Sequence, residues 1–124
     1  MGERGTFYAP TVLTGVTDDM RVMQEETFGP VAPVRVVASF DEALELANGT
    51  EYGLAATVLT ADDEHARRAA RELEAGTVKI NAVFGGAPGG AAEPARQSGS
   101  GFGYGPELLD ELTRTKVVHM GIAP

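Results

Sequence analysis

Two adjacent carboxylates precede an aromatic ring and a turn in the segment Glu25-Glu26-Thr27-Phe28-Gly29-Pro30. A carboxylate held at such a turn could accept hydrogen bonds from a ribose diol or abstract a proton, and the ring could stack on a flat ligand. The alternative is a solvated acidic pair followed by a turn, because adjacent acidic residues are common on protein surfaces. The residue types alone leave both interpretations open.

Two glycine-rich stretches could present backbone amides to an anion. They are Phe84-Gly85-Gly86-Ala87-Pro88-Gly89-Gly90 and Gly99-Ser100-Gly101-Phe102-Gly103. Neither is the G-x-G-x-x-G turn of a dinucleotide-binding fold, and neither carries the Lys-Ser/Thr of a P-loop. Both stretches are therefore interpreted as flexible loop.

The histidines and the other metal-ligating residue types show no chemical grouping. His65 lies among charged residues on a predicted helix, and His119 has no carboxylate or nucleophile partner nearby in the sequence. No H-x-H, H-E-x-x-H or clustered-carboxylate spacing occurs, so no dedicated metal site is expected. The chain has 0 cysteines, which excludes disulfides, thiolate metal sites and a cysteine nucleophile in this chain.

The composition is that of an ordinary globular protein, with 43% hydrophobic and 23% charged residues. A length of 124 residues predicts a single domain, residues 1–124. The formal charge of -8 repels phosphate backbones and acidic membranes, so neither nucleic acid nor a membrane is an expected partner. No apolar run reaches ~18 residues, and the first residues lack the order of a signal peptide, so a cytoplasmic localisation is expected.

The middle of the chain shows the hydrophobic pattern of alternating strands and helices. A capping box at Ser39 and Glu42 marks the start of the first helix, and Asp62 or Asp63 can cap the second. This β-α-β-α-β order predicts an α/β class, with a parallel sheet and helices packed against it. The predicted strands are 31–38, 54–60 and 77–81, and the first of them is expected to be buried on both faces because it is nearly all apolar. The helices between them are expected to end at Asn48-Gly49 and Gly76.

The last third of the chain begins with residues 84–105, which are dense in glycine and lack a hydrophobic period. They predict a long Gly-rich loop. Pro106 is expected at the first position of a C-terminal helix, and Lys116 to Met120 predict a terminal strand. Since no other segment is an evident partner for that strand, its edge is a template for another chain.

Three long segments resemble the C-terminal part of the aldehyde dehydrogenase superfamily. FYAPTVLTGVTDDMRVMQEETFGPVAPV is similar to that family's PTV, V-x-x-x-M and E-E-x-F-G-P-V motifs. DEALELANGTEYGLAATVLTADDEHARRAARELEAGTVKIN and SGSGFGYGPELLDELTRTKVV resemble the motifs that follow, in the same order and spacing. The resemblance covers essentially the whole chain. It implies the latter part of the catalytic α/β domain, with the end of the chain serving oligomerisation.

The resemblance also implies roles for two residues. Glu26 corresponds to the carboxylate that binds the nicotinamide-ribose hydroxyls of NAD or NADP, and Phe28 to the aromatic residue packed against the nicotinamide. The turn at Gly29-Pro30 would hold them.

The chain departs from the family in two respects. The family's cysteine nucleophile, glutamate base, oxyanion-hole asparagine and dinucleotide-binding domain precede the matched region, and none is present in this chain. Aldehyde oxidation through a thiohemiacetal by this polypeptide alone is therefore excluded. In addition, Glu93 to Gln97 replace the Pro-Phe-Gly-Gly-like stretch that usually precedes SG-x-G.

Three functions are consistent with this pattern. In the first, a stand-alone, truncated family member binds another small molecule and performs non-redox chemistry such as proton transfer or cyclisation. Glu26 would then be the acid or base and Phe28 a stacking wall, and the loop from Phe84 to Phe102 would form a lid or the rim of the substrate pocket. In the second, the chain is half of a split or excised NAD(P)-dependent aldehyde dehydrogenase. In the third, it is a non-catalytic regulatory module that dimerises through the terminal strand.

A homo-oligomer is also expected. Residues missing from the parent domain would leave apolar surface uncovered, and such surface usually becomes an interface.

Overall fold

The computed structural model describes residues 5–82 and 92–122. Parallel strand pairs and helices form within them, which confirms the predicted α/β class. The chain divides into two compact units, with the boundary between Ala43 and Leu44. In chain order the elements are β1 (Thr11–Thr14), α1 (Arg21–Gln24), β2 (Val31–Val34), α2 (Phe40–Asn48), β3 (Tyr52–Gly53), β4 (Ala55–Val58), α3 (Asp63–Glu72), β5 (Thr77–Ile80), β6 (Ala95–Arg96) and α4 (Pro106–Glu111).

In the first unit, β1 and β2 form a parallel pair in which Thr11 lies opposite Val31. The Thr11 amide also donates to the Pro30 carbonyl at 2.8 Å, which ties the start of β1 to the turn before β2. The crossover between the two strands contains α1 and the Glu25–Pro30 segment. β1 was not predicted from the sequence, although its threonines and valine suit a strand.

The predicted strand 31–38 is shorter and more exposed than expected. β2 ends at Val34, and its burial pattern is one half-buried residue followed by exposed ones. Arg35 instead contacts the Asp18 carboxylate at 3.1 Å and donates to the Val36 carbonyl at 2.7 Å. Within the described residues only β1 pairs with β2, so β2 lacks the cover that a buried parallel strand requires.

Local sequence signals place the helix starts correctly. The Ser39 hydroxyl accepts from the Glu42 amide at 3.1 Å, and the Glu42 carboxylate accepts from the Ala38 amide at 2.6 Å, which confirms the capping box. The Asp62 carboxylate caps α3 by accepting from the Glu64 and His65 amides at 2.8 and 3.0 Å.

In the second unit, α3 connects β4 to β5, and the two strands pair in parallel with Ala55 opposite Thr77. Ala69 of α3 is fully buried. This β-α-β unit is the one that the hydrophobic pattern predicted, but α3 ends at Glu72, before the predicted end at Gly76. β2 belongs to a different strand pair, so the predicted strands divide between two sheets.

The predicted Gly-rich loop contains a short strand in its described part. β6 pairs antiparallel with β3, with Tyr52 opposite Arg96. This pairing brings the chain so close that a Cβ at Gly76 would overlap the Glu93 carbonyl, which explains the glycine there. α4 begins at Pro106, as predicted.

The terminal strand predicted at 116–120 does not form within the described residues, because strand pairing needs a hydrogen-bonded partner and none of the described segments provides one. Val117 and Met120 are 89% and 84% exposed.

Many large apolar side chains of the described residues are exposed, among them Phe7, Val36, Leu59 and Ile122. Among the described residues, the buried apolar side chains are Val16, Leu44 and Ala69. The expectation that apolar surface remains open is therefore confirmed. In the part of the chain that the structure describes, no helix is long and apolar enough to cross a membrane.

Candidate cofactor-facing segment

The Glu26–Phe28 segment lies between the end of α1 and the start of β2. α1 ends at Glu25, whose backbone is extended and whose amide donates to the Arg21 carbonyl at 2.7 Å. At the other end, the Val31 amide donates to the Gly29 carbonyl at 2.8 Å, which closes a three-residue turn around Pro30. The segment is therefore held on both sides by backbone hydrogen bonds.

The two adjacent carboxylates have different environments. The Glu25 carboxylate forms a two-pronged pair with the Arg21 guanidinium, at 2.9 Å from Nε and 2.7 Å from Nη2. Hydrogen bonding to Arg21 lowers the pKa of Glu25 from its ordinary value. The Glu26 carboxylate is exposed and has no hydrogen bond or ion pair with the described residues. Glu26 is therefore the carboxylate that remains available to a ligand.

Phe28 is the most exposed aromatic side chain among the described residues, at 93%. Burying such a ring is strongly favourable, so an exposed phenyl group beside a fixed turn suits stacking against a planar partner. An ionised carboxylate accepts hydrogen bonds from paired hydroxyl groups. The residue types at Glu26 and Phe28 thus fit a ribose and a nicotinamide ring, as the resemblance implied.

The other two predicted substrate residues are Phe84 and Phe102. Phe84 lies outside the described residues. Phe102 is half-buried in the second unit and borders an open cavity of about 710 Å³, together with Lys79, Tyr104 and Glu111. The Phe102 amide donates to the Glu111 carboxylate at 3.0 Å, which ties the loop to α4. The structure thus brings Glu26 and Phe28 together in the first unit and places Phe102 in the second.

A polar cluster around Arg96 in the second unit was not predicted from the sequence. The Arg96 guanidinium donates to the Asn48 carbonyl at 2.7 Å, to the Thr50 carbonyl and to the Glu74 carboxylate. The Asn48 side chain donates to the Glu72 carbonyl at 2.6 Å and accepts from the Glu74 amide at 2.9 Å. This cluster joins the ends of α2 and α3 to β6, so Asn48 has a structural role.

Asn81, which follows β5, has a structural role as well. Asn81 has a φ of 53° and exchanges two side-chain hydrogen bonds with the Thr60 backbone, both at 2.8 Å. It thereby extends the contact between β4 and β5 beyond their last paired residues. Left-handed backbone conformations favour asparagine, so its presence after a strand was an available signal.

No group of three or more His, Cys, Asp or Glu side chains that could hold a metal ion occurs within residues 5–82 and 92–122.

Comparison with known proteins identifies the family. A model of the aldehyde dehydrogenase family matches residues 1–118, so the chain belongs to this family. The chain is 42% identical to the betaine aldehyde dehydrogenase of Bacillus subtilis, over 98% of this chain and 25% of that protein. The chain thus spans about a quarter of the length of its curated relatives.

Solved structures agree with this assignment. An NAD-dependent aldehyde dehydrogenase from Sinorhizobium meliloti matches with a TM-score of 0.84 and 41% identity, over 100% of this chain and 25% of that one. A betaine aldehyde dehydrogenase from Staphylococcus aureus in complex with NAD+ matches with a TM-score of 0.79 and 41% identity, over 85% of this chain and 21% of that one.

Proposed function

We propose that this chain supplies the nicotinamide-facing C-terminal quarter of an NAD(P)-dependent aldehyde dehydrogenase and acts when another polypeptide segment completes the active site. The observation that carries the proposal is the environment of the EETFGP motif. Glu25 is held by Arg21, whereas Glu26 and Phe28 remain exposed. When bound, NAD(P) would accept the hydride from the substrate. Glu26 would bind the ribose hydroxyls and Phe28 would pack against the nicotinamide.

The uncovered surface supports a completing partner. Phe7, Leu59 and Ile122 are 90%, 70% and 98% exposed, and exposed apolar surface of this kind usually becomes an interface. The partner would also have to supply the thiolate nucleophile, since this chain has 0 cysteines.

A completion assay tests the proposal. The chain is co-expressed with the Bacillus subtilis betaine aldehyde dehydrogenase truncated to lack its matching quarter, and NAD+-dependent oxidation of betaine aldehyde is measured. We expect turnover from the pair and none from either part alone. Inactivity of the pair, under conditions in which the full-length relative is active, would contradict the proposal.

Glu26→Gln is the decisive variant in that assay. It keeps the size of the side chain but removes the charge that strengthens hydrogen bonds to hydroxyl donors, so we expect the KM for NAD+ to rise about 10- to 100-fold. The matched control is Glu45→Gln on the exposed side of α2, which should leave the kinetics unchanged. Equal effects of the two substitutions would show that Glu26 has no specific role.

The cavity beside Phe102 favours a second candidate, a repurposed small-molecule or non-redox site. Its aromatic and charged lining is typical of ligand pockets. The test is thermal unfolding of the free chain with NAD+, NADP+ and a panel of small aromatic compounds, since a ligand that binds the native state raises its Tm. Stabilisation by an aromatic compound that Phe102→Ala abolishes and Phe7→Ala preserves would support this candidate. No stabilisation by any compound would exclude it for that panel.

A further inference from the structure

We infer that Arg21 is a positioning residue that, through Glu25, holds the Glu26–Phe28 segment in its cofactor-facing arrangement. The inference rests on the proposed function for its consequence in cofactor binding. The claim that Arg21 orders residues 26–28 concerns the free chain alone and is tested on it.

The geometry separates the two glutamates by role. Both oxygens of Glu25 are engaged by Arg21, at 2.9 and 2.7 Å, one helical turn apart. The Glu25 amide also donates to the Arg21 carbonyl at 2.7 Å. The side chain and the backbone of Glu25 are therefore both fixed to the residue that starts α1. Glu26, which follows directly, has its backbone direction set by this double attachment.

Other contacts show that the support for α1 is itself fixed. The Gln24 side chain donates to the Asp18 carbonyl at 3.2 Å, and the Asp18 carboxylate contacts Arg35 at 3.1 Å beyond β2. The Met23 amide donates to the Met20 carbonyl at 2.8 Å. A helix of four residues has little stability of its own, so these bonds and the Arg21 pair maintain it.

Exposure indicates that the pair serves orientation rather than global stability. The Arg21 and Glu25 side chains are 86% and 57% exposed, and ion pairs in such positions add little to the free energy of unfolding. Bidentate geometry instead restricts the direction of both side chains. The chain offers a matched control in Arg67 and Glu64, an exposed pair on α3 at 3.3 Å with both side chains 60% exposed.

The first test measures backbone order in the free, full chain by ¹⁵N relaxation. We expect order parameters for residues 26–28 near the rigid value of about 0.85 in the wild type and below about 0.6 in Arg21→Gln. β1 and β2 should keep their order in the variant. Arg67→Gln should leave residues 26–28 unchanged. Unchanged order in Arg21→Gln, or an equal loss in Arg67→Gln, would overturn the inference.

The second test measures cofactor binding in the completed assembly. Arg21→Gln and Glu25→Gln should each weaken NAD+ binding by about threefold or more, with kcat at saturating NAD+ changed less than about twofold. The exchanged pair Arg21→Glu with Glu25→Arg should restore most of the affinity, which a merely structural defect would not show. A wild-type assembly without turnover would refute the proposed function, whereas the relaxation result would still decide the positioning role.

Discussion

At the scale of single residues, the structure distinguishes side chains that the sequence presents as equivalent. Glu25 and Glu26 are adjacent and identical in type, yet Glu25 is bound by Arg21 and Glu26 is open. The arginine four residues before Glu25 was an available helical signal for this difference. The surroundings of Phe102 could not be predicted from the sequence, because they depend on a loop path that no periodic pattern encodes.

Asp62 gives a pH-dependent prediction at this scale. Hydrogen bonds from the His65 amide, and then from the Glu64 amide, lower the pKa of Asp62 below its ordinary value of 3.8. A carboxyl with a lowered pKa in the folded state stabilises the fold above its ordinary pKa, and this contribution is lost as the pH falls through the lowered value. Wild-type Tm should therefore decrease below about pH 4.

Asp62→Asn isolates this contribution because asparagine is an equally good helix cap but does not titrate in this range. We expect the fall in Tm between pH 7 and pH 3 to be smaller in Asp62→Asn by about 2 °C. Asp63→Asn, which changes the neighbouring carboxyl, is the control and should follow the wild type. A parallel decline in all three proteins, measured by circular dichroism, would rule out a contribution from the cap.

At the scale of elements, the predictable parts were those with local signals. Ser39, Asp62 and Pro106 mark helix starts through bonds or torsions within a few residues, and each helix begins where expected. The hydrogen bonds of Arg96 join it to residues that lie 46 and 48 positions earlier in the sequence, so a local pattern does not reveal the cluster. The β-branched residues of 116–120 favour a strand, but no strand forms there within the described chain because a strand needs a hydrogen-bonded partner.

The Arg96 side chain is expected to contribute to the free energy of unfolding. Its side chain is 29% exposed and contacts the ends of two helices, so Arg96→Ala should lower the free energy of unfolding by about 2 kcal/mol through lost charge-assisted hydrogen bonds. Urea denaturation measures the change. Arg71→Ala removes a 62% exposed arginine at 4.0 Å from Glu64 and should cost less than about 0.5 kcal/mol.

Arg96→Gly tests an alternative explanation for the same position. Arg96 has a φ of 55°, a conformation that glycine adopts without strain. If the side-chain bonds dominate, Arg96→Gly should be destabilised like Arg96→Ala but by a smaller amount. A glycine variant more stable than the wild type would mean that backbone strain outweighs the Arg96 bonds.

At the scale of the whole molecule, many large apolar side chains of the described residues are exposed. Such a surface in water favours burial against another protein, and we propose that the isolated chain forms a homo-oligomer when no completing partner is present. Sedimentation velocity at micromolar concentration should therefore show a dimer or larger species. Addition of the truncated relative should convert it to a mixed complex, because the relative and a second copy of this chain would compete for the same apolar surface.

The terminal residues 116–122 are the proposed self-association site, because they are exposed and have no paired strand within the described residues. Charged residues, lysine above all, discourage pairing at such edges. The double variant Val117→Lys with Met120→Lys should therefore weaken self-association by at least about tenfold. The control is Leu109→Lys with Leu112→Lys, which adds the same two charges at positions 64% and 75% exposed on and just after α4. Equal weakening by the control would locate the interface on the broader apolar surface, and a wild-type chain that sediments as a monomer would refute self-association altogether.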